Sequence, residues 1–168
     1  MLEELDFTAS TTSSSSILNA IGERSDRLRT LKIRSPDFEG TNWQFFKKTK
    51  IEEFHLALIE SDEEGETLPD EALNCLPPTI QILLLQGPLE SNPIPALARL
   101  NPSLVTELTF LDSGECFTDD TIKYIRENFK MLRLLNVTNS ERVTDAGFVA
   151  SSESGSLSEI KGTLSCCL

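Results

Sequence analysis

The chain has 168 residues, 39% of them apolar and 25% charged, with a formal net charge of −12 at pH 7. That length suits one domain burying roughly two-thirds of its unfolded surface, and the balance is globular rather than disordered. The acidic charge argues against a sequence-independent surface for DNA or RNA phosphates. No apolar run approaches the ~20 residues of a membrane span, and the start lacks the basic-then-apolar plan of a signal peptide.

In chain order, one apolar-x-x-apolar-x-apolar spacing recurs: Leu2/Leu5/Phe7, Leu28/Leu31/Ile33, Ile51/Phe54/Leu56, Ile80/Leu83/Leu85, Val105/Leu108/Phe110 and Leu132/Leu135/Val137. A weaker start lies at Leu157/Ile160. The units begin at 2, 28, 51, 80, 105, 132 and 157, in steps of 26, 23, 29, 25, 27 and 25 residues. Within each, the fourth and sixth residues point to one face at period two, which predicts a short strand. A period near 26 means stacked units, none of which buries its apolar face alone.

The connections between strands are more varied. In unit one, Thr8–Ser16 reads either as a low-complexity linker or, in register, as the polar crossover to a helix facing inward through Ile17, Leu18 and Ile21. Unit two carries Trp43, Phe45 and Phe46, expected to fill the core between layers. Unit three holds the acidic run Glu60–Glu66, either a solvated loop or a contact for a basic partner tuned by phosphorylation of Ser61. Pro77 and Pro78 bar helix continuation ahead of the continuously apolar strand at Ile80. SNPIPALARLNPS, bounded by prolines, predicts one or two helical turns or a 3₁₀ turn. Unit five has the clearest helix, with Asp119 and Asp120 in its first turn and Ile122, Ile125 and Phe129 on one face.

The stretch Leu132–Phe148, LRLLNVTNSERVTDAGF, adds Thr144 and Asp145 as a helix start behind the strand. Its L-x-x-L-x-V spacing followed by V-T-D-A-G-F resembles the cysteine-containing class of leucine-rich repeats, found in F-box/leucine-rich-repeat proteins and related ligase-associated and mitotic-exit proteins. Ser140 stands where that class places its cysteine, Cys116 lies two residues before its Thr118, and Gly162 replaces the third strand leucine of the last unit. The resemblance implies an α/β leucine-rich-repeat solenoid, with a parallel sheet on the concave face and helices or 3₁₀ turns on the convex face. It also implies a substrate-recognition part of an F-box-type (cullin-RING) ubiquitin ligase receptor. One domain would span 1–168, with an incomplete last unit at 153–168. No polar capping repeat closes either end, so the chain reads as a piece of a longer protein, the alternative being that a partner covers its open end; no F-box is visible ahead of Leu2.

Catalytic constellations are missing: there is no G-x-S-x-G elbow, G-x-x-x-x-G-K loop or H-E-x-x-H helix. His55 is the only histidine, and Cys75, Cys116, Cys166 and Cys167 read as reduced thiols without a C-x-x-C pair. No enzyme, metal or cofactor is expected, and the compartment is cytoplasmic or nuclear. The terminal SCCL reads as interrupted repeat rather than a prenylation signal.

Binding remains. With the first, fourth and sixth residues inward, the third, fifth and seventh line the other face of the sheet. That brings Ile82, Leu84, Leu111 and Leu134 onto three adjacent strands, with Lys32, Arg34 and His55 beside them. The apolar patch rimmed by charge is either a protein-docking surface or is returned to the core by a covering loop or a one-residue slip. A non-catalytic scaffold unrelated to ubiquitin ligases is the second functional reading.

Overall fold

The computed structural model describes residues 2–9, 14–24, 27–59, 66–149 and 159–163. Seven strands form one all-parallel sheet whose order follows the sequence: β1 (Glu4–Thr8), β2 (Thr30–Ser35), β3 (Glu53–Leu58), β4 (Ile82–Gln86), β5 (Glu107–Leu111), β6 (Leu134–Thr138) and β7 (Glu159–Thr163). Parallel neighbours require a crossover, and most crossovers carry a helix. These are α1 (Ser14–Arg24), α2 (Asp70–Asn74), α3 (Ile94–Leu97), α4 (Asp119–Asn128) and α5 (Asp145–Val149), with 3₁₀ turns at Trp43–Lys48 and Gly114–Cys116. The protein is thus α/β, with an unbroken parallel sheet and helices between its strands.

Register follows the repeat. Leu5, Leu31, Phe54, Leu83, Leu108, Leu135 and Ile160 are successive ladder partners. Phe7, Ile33, Leu56, Leu85, Phe110 and Val137 form the second such column. From β2 to β6 both columns are buried, and they meet the helix layer through Leu18, Trp43, Leu73, Leu97, Phe117 and Ile122. Aromatic pairs pack within this layer, with Phe110 and Phe117 ring centres 4.5 Å apart and Phe38 and Trp43 at 5.7 Å.

The chain leaves several strands through one backbone device. Asp112 and Asn139 have φ of 58° and 54°, and Gly87 has 127°, all at the eighth position of their units. Asn and Asp tolerate the left-handed region better than other side chains, and the Asn139 amide donates to Asp112 Oδ1 at 2.9 Å, tying adjacent turns together. At Gly87 a Cβ would come within 3.0 Å of the Leu58 side chain, so only glycine fits there without a shift.

Four expectations need correction. Leu18 carries the inward face of α1, whereas Ile17 is exposed, because consecutive helical residues are about 100° apart and only one of the two can face the sheet. Leu2 is also exposed, and Leu5 and Phe7 are half-buried, since β1 has a neighbour on one side only. Trp43 and Phe46 are core, but Phe45 between them is half-buried. The polar stretch after Phe7 is neither wholly linker nor wholly crossover loop: Thr8 closes β1 and Ser14–Ser16 opens α1. Residues 10–13, most of the acidic run (60–65, with Ser61), 150–158 and the terminal SCCL lie outside the described residues.

Candidate functional site: the open face of the sheet

The residues that alternate with the two core columns share the sheet's other face. Its rows read Glu4–Thr30–Glu53–Ile82–Glu107–Leu134–Glu159, Asp6–Lys32–His55–Leu84–Thr109–Asn136–Lys161 and Thr8–Arg34–Ala57–Gln86–Leu111–Thr138–Thr163. From β2 to β6 these side chains are half-buried rather than sealed, apart from small Ala57. The register has not slipped, so Ile82, Leu84, Leu111 and Leu134 all point away from the core.

They do not form one continuous patch. Ile82 and Leu84 are i, i+2 on β4, and Leu111 on β5 lies diagonal to Leu84. Leu134 is two strands from Ile82, about 10 Å at the usual strand spacing, and Glu107 stands between them. The apolar part is therefore Ile82, Leu84 and Leu111, with Leu134 separated by a carboxylate.

Lys32, Arg34 and His55 lie beside the patch on β2 and β3, where each is held by a carboxylate. Lys32 Nζ sits 2.9 Å from Glu53 Oε1, and His55 Nε2 sits 3.0 Å from the same oxygen. Arg34 reaches Asp6 at 2.7 Å, and Arg29 pairs with Glu52 below them. The hydrogen bond to Glu53 raises the Lys32 pKa, so this lysine stays charged. For His55 burial dominates and lowers the pKa, against the pull of Glu53, which leaves the ring neutral at pH 7. The two cations and the neutral imidazole thus form a largely self-compensated frame, not a free basic rim.

Glu53, which holds that frame together, was not among the sequence candidates. Same-row neighbours on the face are Lys32 and His55, whereas the pairs that form run along a strand, His55 to Glu53, or diagonally between strands, Lys32 to Glu53 and Arg34 to Asp6. Long side chains span such diagonals, a relation that a row-by-row reading does not display.

Elsewhere, a cavity of about 260 Å³ lies where β2 and β3 end, lined by Asp37, Phe38, Glu39, Leu58, Glu66 and Pro69 among others. The hydroxyls of Ser113 and Ser140, at equivalent ninth positions of their units, are buried without a hydrogen-bond partner among the described residues. Also among those residues, no group of three or more His, Cys, Asp or Glu is arranged to hold a metal ion. No helix there is long and apolar enough to cross a membrane.

Comparison with protein-family models, with curated proteins and with solved structures finds no match to this chain.

Proposed function

We propose that the chain is a leucine-rich-repeat solenoid and a non-catalytic protein-binding module. Its open face would be concave and would dock a partner on Ile82, Leu84 and Leu111, framed by the paired charges of Lys32 and Arg34 and by the His55 ring. The observation that carries this reading is the unbroken register of seven sequential parallel strands. It keeps every third, fifth and seventh residue of a repeat on a face that no helix among the described residues occupies. Half-buried aliphatic side chains grouped on such a face fit a protein contact better than a solvated surface.

The finer reading is the substrate-recognition part of an F-box-type ubiquitin ligase receptor. It rests on the resemblance of Leu132–Phe148 to the cysteine-containing repeats, and α5 opening at Asp145 behind Thr144 is in keeping with that motif. The scaffold reading predicts the same face without a ligase link.

Leu84→Glu and Leu111→Glu are expected to abolish partner capture while circular dichroism and the unfolding midpoint stay near wild type. Unfolding of both variants would mean that these side chains are core and that the docking face is misassigned. Recovery of a cullin and its adaptor with the wild-type protein, lost in neither variant, supports the receptor reading. Recovery of a variant-sensitive partner without them supports the scaffold.

A further inference from the structure

Helices run back against the strands they join, so the sheet has two rims. At one rim strands end and helices begin; at the other helices end and strands begin. Charge is unevenly divided between them, although Glu3, Glu23, Glu52 and Glu127 also lie on the rim where strands begin. Where helices begin, Asp70 and Glu71 open α2, Asp119 and Asp120 open α4, and Asp145 opens α5. Where strands begin, Lys47 and Lys48 close the 3₁₀ turn, Lys50 follows, and Lys130 and Arg133 precede β6. Arg27 and Arg99 hold comparable places ahead of β2 and β5. All of these cations are exposed.

Helix dipoles favour acids at the first turn and bases at the last, which accounts for part of the sorting. They do not account for Arg27, Lys50 and Arg133, which lie in connecting segments outside any helix. Nor do they account for Leu104 and Met131, 39% and 51% exposed on the same rim. These two occupy one position, immediately ahead of Val105 and Leu132, in neighbouring units. Large apolar side chains exposed among cations, and repeated at the same place, need a further cause.

The net charge of −12, which argues against an anionic partner, averages over both rims. A five-residue strand alone separates them by roughly 16 Å, about twice the Debye length at physiological ionic strength. A surface meeting the basic rim is therefore largely screened from the acidic one. We propose that the rim where the strands begin docks on an anionic lipid surface. Its lysines and arginines lie among the headgroups, Leu104 and Met131 reach the acyl boundary, and the acidic rim is turned to water.

A lipid surface fits better than an acidic peptide because the cations follow a row of loop ends from Arg27 to Arg133, not the walls of a cleft. The 260 Å³ cavity lies at the opposite rim, among Asp37, Glu39 and Glu66. This placement is independent of the docking face proposed above.

The test is co-sedimentation of the full chain with vesicles of phosphatidylcholine alone or with about a third phosphatidylserine, at low and high salt. Binding is expected only with phosphatidylserine and falls at least tenfold at high salt. The combined reversals Lys47→Glu/Lys48→Glu/Lys50→Glu and Lys130→Glu/Arg133→Glu each weaken it about tenfold, with unfolding midpoints unchanged. Leu104→Ser/Met131→Ser weakens it severalfold and keeps the salt dependence, and Asp120→Lys on the acidic rim does not weaken it. Equal binding to both vesicles, no binding at low salt, or full binding by the two reversal variants would overturn the proposal. So would a preference for polyglutamate or RNA over the vesicles.

Discussion

His55 concentrates the electrostatics of the open face in one side chain. Its side chain is 22% exposed, it shares Glu53 with Lys32, and it is the chain's single histidine, so its titration can be followed without ambiguity. Burial is the largest influence and lowers its pKa below the ordinary 6.5. In the interval between the folded value and 6.5, the unfolded chain binds more protons than the native one. Stability from this group is therefore complete above about pH 6.5 and is lost as pH falls through the interval down to the folded pKa. NMR titration should place the His55 midpoint below 6.5, and urea unfolding should show stability declining there in wild type but not in His55→Gln. Glu53→Gln should lower the midpoint further, since Glu53 is the main influence raising it. A midpoint above 6.5 would mean that the carboxylate outweighs burial. The sequence placed His55 on this face correctly, but it could not reveal a neutral ring, because that depends on how deeply the neighbouring strands cover it.

Among the elements, the strands were legible, and so were α4 and the start of α5, but the shortest crossovers were less so. An apolar pair at the fourth and sixth positions, repeated at a period near 26, leaves one consistent register. Each unit's error would show against its neighbours. The crossovers lack that redundancy: α3 is four residues and α2 five, too short to stand alone or to show a helical period. They are held by contacts from adjacent units. Asp119 in α4 accepts from the Thr144 backbone N–H at 2.8 Å and from its hydroxyl at 2.6 Å, and the Thr144 hydroxyl in turn accepts from Ala146 N–H at 3.2 Å. One carboxylate thus fixes the start of α5. Gly147 makes room for it, since a Cβ there would lie 2.4 Å from Asp119 Oδ1. Alanine would favour the helix by about 1 kcal/mol, but it would displace a carboxylate making two hydrogen bonds of about 1 kcal/mol each. Gly147→Ala is therefore expected to destabilise by roughly 1 kcal/mol net in chemical denaturation. In an Asp119→Ala background the cost should vanish and the same change should stabilise by up to about 1 kcal/mol, since only the helix preference of alanine remains. An equal cost in both backgrounds would locate the clash elsewhere.

For the whole molecule, what matters is that each strand packs on the strand before it and the strand after it in sequence. Step length alone announced that order. The sorting of charge onto two rims was not legible, because it depends on where each helix stops and the next strand begins. In such a one-dimensional array stability is close to a sum over neighbouring interfaces, so a lesion's cost depends on its place along the row. Leu83 and Leu5 share a ladder column, but Leu83 is 1% exposed between Phe54 and Leu108, while half-buried Leu5 has Leu31 on one side only. Leu83→Ala opens a cavity shared by two interfaces and should cost about 3 kcal/mol, within the range for buried leucines. Leu5→Ala touches one interface already partly wetted and should cost about 1 kcal/mol. The two variants should also differ in how they unfold. Amide exchange in Leu5→Ala should accelerate in β1 and leave β4 protected, because an end unit can fray while the rest stays stacked. In Leu83→Ala exchange should accelerate on both sides of β4 together, since an interior unit cannot open without releasing both neighbours. Equal costs and the same exchange pattern in the two variants would mean that the strands unfold as one block, with no gradient from the middle of the row to its end.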